Sequence, residues 1–287
     1  LRKRLLALCL AVALVAACGS DSKPAATGAS SSAAPKLSKI VSLSSTATEM
    51  LFAIGAGSQV IAVDDQSNFP PEAPKTDLSG YTPNVEAIAG YQPDLVVLAT
   101  DTAGLVAGLQ HLGVTTLLLP AANTLDDAYD QLTKLGDVTG HTSDAQRLVT
   151  KMKSDIDALV KQVPPQLAGK TYYYELDNTF FTATSKTFIG AVIGTTGLKN
   201  IGDAVDDGSG YPQLSQEKIV EASPDVIFLA DSKCCAQSKD TVSQRPGWST
   251  ITAVKTGQIV TLDDDIASRW GPRIVDLLRQ VVEALKA

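Results

Sequence analysis

Two stretches of this chain follow one pattern, which constrains it to a fold with two related halves. SGYTPNVEAIAGYQPDLVVLA at 79–99 is matched by SGYPQLSQEKIVEASPDVIFLA at 209–230. Each has Gly-Tyr, then a Glu with an Ile two places on, then Pro-Asp and a strand-like run ending Leu-Ala. Around each copy, short β-branched runs alternate with short helical patterns. KIVSL (39–43), VIAV (60–63), LVVLA (95–99) and TTLLL (115–119) read as strands of the first half. TYYYEL (171–176), VIFLA (226–230) and IVTL (259–262) do so in the second. Strands separated by short helices predict parallel βαβ units, and so an α/β chain.

Between the halves the period changes. Leu148, Met152, Ile156, Leu159 and Val163 fall three and four apart, with Lys and Asp between them. That spacing predicts one long amphipathic helix, stopped by Pro164-Pro165. The expected organisation is two α/β lobes joined by one long α-helix: an N-terminal lobe at 37–140, the bridging helix at 141–165 and a C-terminal lobe at 166–287.

The first residues belong to something else. Arg2, Lys3 and Arg4 precede an uncharged apolar run, Leu5–Ala17, too short to span a bilayer comfortably. Small residues then lead into Cys18, which resembles the lipobox of a bacterial lipoprotein signal. Residues 1–17 are therefore expected to be a signal peptide and Cys18 the lipidated residue. Residues 18–36, rich in Ser, Ala, Gly, Thr and Pro, read as a flexible tether. Loss of the three basic residues takes the formal charge of −7 to about −10. An acidic surface of that kind argues against nucleic acid as a partner.

Of the four cysteines, Cys9 leaves with the signal and Cys18 is acylated, so only the neighbours Cys234 and Cys235 remain. Outside the cytoplasm two thiols tend to pair. Consecutive Cα atoms lie about 3.8 Å apart, closer than a disulfide usually prefers. A vicinal disulfide and two free thiols both stay open.

In both copies of the repeat the Glu falls in the first turn of a predicted helix, after Asn84 (or Thr82) in one and Ser215 in the other. A carboxylate there meets the positive end of the helix dipole, which accounts for either Glu singly but not for the pair. With KIVSLSSTATEMLFAIGAG, NVEAIAGYQPDLVVLA and IASRWGPRIVDLL, the body resembles a family of solute-binding proteins. Those proteins deliver iron–siderophores, haem and cobalamin to ABC importers. The resemblance implies two Rossmann-like lobes, a bridging helix and only a small closure on ligand binding. It also implies that Glu86 and Glu217 dock the two halves of a dimeric permease, which works with its ATPase.

Ligand contacts implied by the resemblance are Asp65, Tyr81, Phe181, Tyr211, Asp265, Arg269 and Trp270, with Arg245 and the nearby Trp248 less firmly placed. The partners implied are the importer and a metal-chelate ligand, for a protein acting as a membrane-anchored monomer that needs no cofactor. Two histidines, His111 and His141, are too few for a bare-metal site of the family's kind. A ferric siderophore, usually anionic, would use Arg245 and Arg269; a corrinoid would use aromatic walls; haem comes after both.

Other classes fare worse. The chain has no Gly-x-Ser-x-Gly elbow and few histidines for a triad, so an anchored hydrolase is not expected. AGKT at 168–171 ends like a phosphate loop, but Pro164 stands where that motif needs Gly. DDDIASRWGPR starts like a calcium loop yet lacks its Gly and terminal Glu. A receptor or sensor subunit without transport stays open.

Overall fold

A computed structural model describes residues 37–286. The signal, Cys18 and the tether lie outside the described residues. The first half contains β1 (Ile40–Leu43), α1 (Ser45–Ala53), β2 (Val60–Val63), α2 (Val85–Ala89), β3 (Leu95–Leu98), α3 (Leu105–His111) and β4 (Thr115–Leu118). The chain then runs through α4 (Leu125–Thr139) and α5 (Thr142–Val160). Next come β5 (Thr171–Glu175), α6 (Phe188–Gly194), β6 (Lys199–Asn200), α7 (Gln216–Ala222) and β7 (Val226–Leu229). After these follow α8 (Ser232–Cys235), α9 (Lys239–Ser243), α10 (Thr252–Thr256), β8 (Ile259–Thr261), α11 (Asp264–Ala267) and α12 (Ile274–Lys286).

Both sheets are parallel and share one order, β2-β1-β3-β4 and β6-β5-β7-β8. The two repeated phrases lead into β3 and β7, which hold the same place in each sheet. In that order the chain turns to opposite sides of β1 and of β5, and the crevice beyond such a switch point is where open α/β sheets bind ligands.

Period-two alternation decides which core each strand feeds. Leu95 and Val97 of β3 face one cluster, while Val96 and Leu98 face another on the opposite side of the sheet. In β5, Tyr172 and Tyr174 point one way and Tyr173 the other, against Trp248. The cluster holding Leu95 and Val97 is the same one that holds Tyr172, Tyr174 and Phe228. Met152, Ile156 and Leu159 of α5 and Leu278, Val281 and Val282 of α12 complete it. The two halves thus share one continuous core.

From β4 the chain passes through α4, within the expected N-terminal lobe, and then α5, within the span expected for the bridging helix. The 142–160 helix agrees with its apolar stripe, and α4 and α5 are separated at Gly140, whose φ is +78°. They pack closely: a Cβ on Gly136 would lie 2.5 Å from the Cβ of Ala145.

Candidate functional site: the cleft at the strand ends

A cavity of about 400 Å³ opens at the C-terminal ends of β1, β2 and β3. Ser44, Asp64, Gly80 and Tyr81 line it from the first half, and Asp265, Arg269 and Trp270 from the segment that begins in α11. Four expected ligand residues, Tyr81, Asp265, Arg269 and Trp270, therefore meet in one place. A larger groove of about 680 Å³ lies along α4 and α5, around Tyr129 and Lys153. It is away from the strand ends.

The remaining expected residues sit elsewhere. Asp65 is exposed and is not among the residues lining the cavity; its neighbour Asp64 lines it instead. The reason is that Asp64 continues the strand pairing, its amide donating to Ser42 O at 2.9 Å. Asp64 is 5% exposed, and burial pushes its carboxyl above the usual range, partly opposed by the hydrogen bond from Ser67. Thr48 lies 2.8 Å from the Ser67 hydroxyl, behind it.

Phe181 and Tyr211 belong to an antiparallel ribbon of the second half. Thr182 N donates to Pro212 O and Thr184 N to Gly210 O, at 3.0 and 2.9 Å. Both aromatics are partly exposed, at 39% and 50%, and neither lines the cavity. Tyr211 repeats the setting of Tyr81. The amide of each tyrosine donates to a serine hydroxyl two residues earlier, Ser209 at 3.0 Å and Ser79 at 3.2 Å.

Arg245 faces inward. Its guanidinium donates to both carboxylate oxygens of buried Glu175, at 2.7 and 2.5 Å, and to Gln237 Oε1 at 2.7 Å. It also lies over the Trp248 ring, 4.5 Å from the centroid. Arg245, expected as a ligand contact, is engaged in this inward ion pair and is not among the cavity's lining residues. Asp231, fully buried, adjoins Glu175 and has no donor for either oxygen. Burial, then the charge of Glu175, push its carboxyl up to about 8. A proton on Asp231 lets it donate to Glu175, which two carboxylates could not do.

The other cations near the cleft are also committed. Arg269, 7% exposed, donates to Glu49 at 2.8 Å and to Gln66 O at 3.0 Å. Arg273 donates from Nε to the same Glu49 at 2.9 Å and stacks on Phe69. Lys233 binds Asp263 at 3.0 Å and Asp265 at 2.7 Å. Burial opposes ionisation of Asp265, but Lys233, Asn68 and Arg269 together hold the carboxyl below the usual range. Among the described residues no group of three or more His, Cys, Asp or Glu is arranged to hold a metal ion.

The repeated glutamates lie outside the cleft. Asn84 caps α2 by accepting from Ala87 N at 2.8 Å, and Ser215 caps α7 by accepting from Lys218 N at 3.2 Å. Glu86 and Glu217 stand exposed in the first turns, while Ile88 and Ile219, two places on, are fully buried. The Glu217 amide and the Ser215 hydroxyl hold Glu217 below its usual range.

The sequence matches the model of the periplasmic binding protein family over residues 40–266. The chain belongs to that family. It is 29% identical to an ABC transporter substrate-binding lipoprotein of Bacillus subtilis, over 86% of this chain and 79% of that one. It is 31% identical to a cobalamin-binding protein of Halobacterium salinarum, over 86% and 69%. Among solved structures it resembles a possible iron-binding periplasmic solute-binding protein from Staphylococcus epidermidis, with a TM-score of 0.77 at 25% identity, covering 88% of this chain and 100% of that one. It also resembles the periplasmic vitamin B12-binding protein of Vibrio cholerae, with a TM-score of 0.73 at 27% identity over 88% and 97%.

For a periplasmic binding protein, the cleft-edge residue that sequence reasoning passed over is Glu49. Glu49 carried a signal: a lone carboxylate in the apolar stretch TATEMLFA needs a buried partner.

Proposed function

We propose that this chain is the capture component of an ABC importer and that its ligand is a corrinoid. The observation that carries the reading is the charge of the cleft. Arg269 is the one cation among the residues lining the cavity, and its guanidinium is already engaged by Glu49, which it shares with Arg273, and by Asp265 at 3.7 Å. Asp64 stands on the same wall, together with Asp265, which is bound by Lys233. An anionic ferric siderophore or the propionates of haem would meet carboxylates there with no uncommitted guanidinium. A neutral macrocycle edged with amides suits such a wall, since carboxylates accept hydrogen bonds from amide N–H groups. Tyr81 and Trp270 supply aromatic surface for its apolar face. The names of the Halobacterium and Vibrio relatives point the same way.

Glu86 and Glu217 present one exposed carboxylate from each half, in matching helix turns. Two equivalent permease halves offering arginine would each take one, and such pairs set orientation as well as strength. Cys18 anchors the protein to the outer side of the cell membrane, as the name of the Bacillus relative suggests. Capture and delivery need no bond to be made or broken in the ligand.

The experiment is uptake of labelled cyanocobalamin by cells expressing this chain with its permease and ATPase. Glu86→Ala combined with Glu217→Ala is expected to abolish uptake while the purified variant still binds cyanocobalamin. Loss of binding in that variant would overturn the docking role.

A further inference from the structure

The Cys234 and Cys235 sulfurs are bonded, on a loop whose hydrogen bonds lead to the cleft wall. The bond closes on α8, a helix of only four residues, Ser232–Cys235. So short a helix is not stable by itself, and its amides are held from elsewhere. Ser232 N and Oγ donate to Asp264 Oδ1 at 3.2 and 2.8 Å. Lys233 N and Cys234 N donate to Asp264 Oδ2 at 2.7 and 3.3 Å. Lys233 Nζ adds Asp263 and Asp265. All three aspartates lie at the start of α11, and Asp265 itself lines the cavity. Asp265 also accepts from Asn68 of the first half at 3.2 Å.

The other end of the loop is tied to the interior. Cys235 N and Gln237 N both donate to Asp231 O, and Gln237 Oε1 accepts from Arg245. The disulfide therefore sits in a clasp with one end on the buried Glu175–Arg245 pair and the other on α11. Cys234 is exposed, so a reductant can reach it.

We propose that the Cys234–Cys235 disulfide is a redox-sensitive clasp that orders the α11 wall of the cleft through Asp264 and Lys233. A small dithiol opens it. One thiolate of the dithiol attacks a cysteine sulfur, the Sγ–Sγ bond breaks and a mixed disulfide forms. The second thiol of the dithiol then displaces that cysteine. Two electrons pass to the pair, two protons finish on the Cys234 and Cys235 thiols, and the reductant leaves as its cyclic disulfide. Freed of the link, α8 frays and the amides that cap Asp264 disperse. Asp263, Asp264 and Asp265 then lose their shared anchor. This role does not depend on the identity of the ligand.

The test is amide hydrogen exchange on the folded protein, with and without dithiothreitol, and alkylation mass to confirm that two thiols have appeared. On reduction, residues 231–237 and 263–269 are expected to exchange about tenfold faster or more, with β1 and β5 unchanged. The Cys234→Ser, Cys235→Ser double variant should exchange like reduced wild type and ignore the reductant. Unchanged exchange at 263–269 in wild type carrying two alkylated cysteines would overturn the clasp. So would a response of the double variant to dithiothreitol. The wild-type comparison decides the matter even if the variant fails to fold.

Discussion

Glu49 and Arg269, 220 residues apart, form a buried ion pair at 2.8 Å. The pair ties α1 of the first half to the segment that follows α11, at the edge of the cleft. It also commits the one arginine on the cavity wall, whose guanidinium is held by a carboxylate that Arg273 shares.

Removal of that counter-ion should be costly. Glu49→Gln leaves Arg269 and Arg273 facing a neutral amide in a buried setting. Breaking a buried pair by loss of one partner typically costs about 3–5 kcal/mol. Urea unfolding of the variant is expected to show a loss of that size. A loss within experimental error of zero would mean that the arginines find water or another acceptor.

The two exposed tyrosines should separate binding from stability. Tyr81 is 77% exposed and Tyr211 50%, so replacing either by Ala should shift stability by less than about 0.5 kcal/mol. The Tyr81 replacement, on the cavity wall, is expected to weaken cyanocobalamin binding about fivefold or more, as loss of an aromatic anchor does, and the Tyr211 replacement tests whether the ligand surface extends beyond that wall. Equal affinity in wild type and both variants would remove the tyrosines from the ligand surface.

Asp231 makes stability depend on pH. Its carboxyl has a usual value of 3.8 and is pushed up to about 8 in the folded protein, first by burial and then by Glu175. The folded state therefore holds the proton more tightly than the unfolded chain. The resulting contribution is complete below the unfolded value, erodes as pH rises and is gone above the folded one. Thermal unfolding between about pH 5 and 9 should show wild type losing stability with rising pH. Asp231→Asn, which stays neutral, should flatten that slope. Identical slopes in the two proteins would count against a protonated Asp231.

Much of this was legible in the sequence, for local reasons. Strand identity follows from β-branched runs, and helix starts from caps such as Asn84 and Ser215, whose side chains accept as expected. The repeat marks equivalent places in two sheets because each copy carries its own cap, exposed Glu and buried Ile. What was not legible depends on contacts far apart in sequence. Arg245 reads as a free cation until Glu175, 70 residues earlier, is seen at the end of β5. The core common to both halves depends on where α5 and α12 pack, which no local period encodes. The choice between Asp64 and Asp65 turns on one further residue of strand pairing.

The most direct measurement is calorimetric titration of residues 37–287 with cyanocobalamin, a ferric hydroxamate siderophore and haem under one set of conditions. Saturable one-to-one binding of cyanocobalamin at about micromolar affinity or tighter, with the other two weaker by tenfold or more, is the expected result. Tighter binding of the siderophore or of haem would contradict it, and would show that the cleft finds a cation these ion pairs do not leave free.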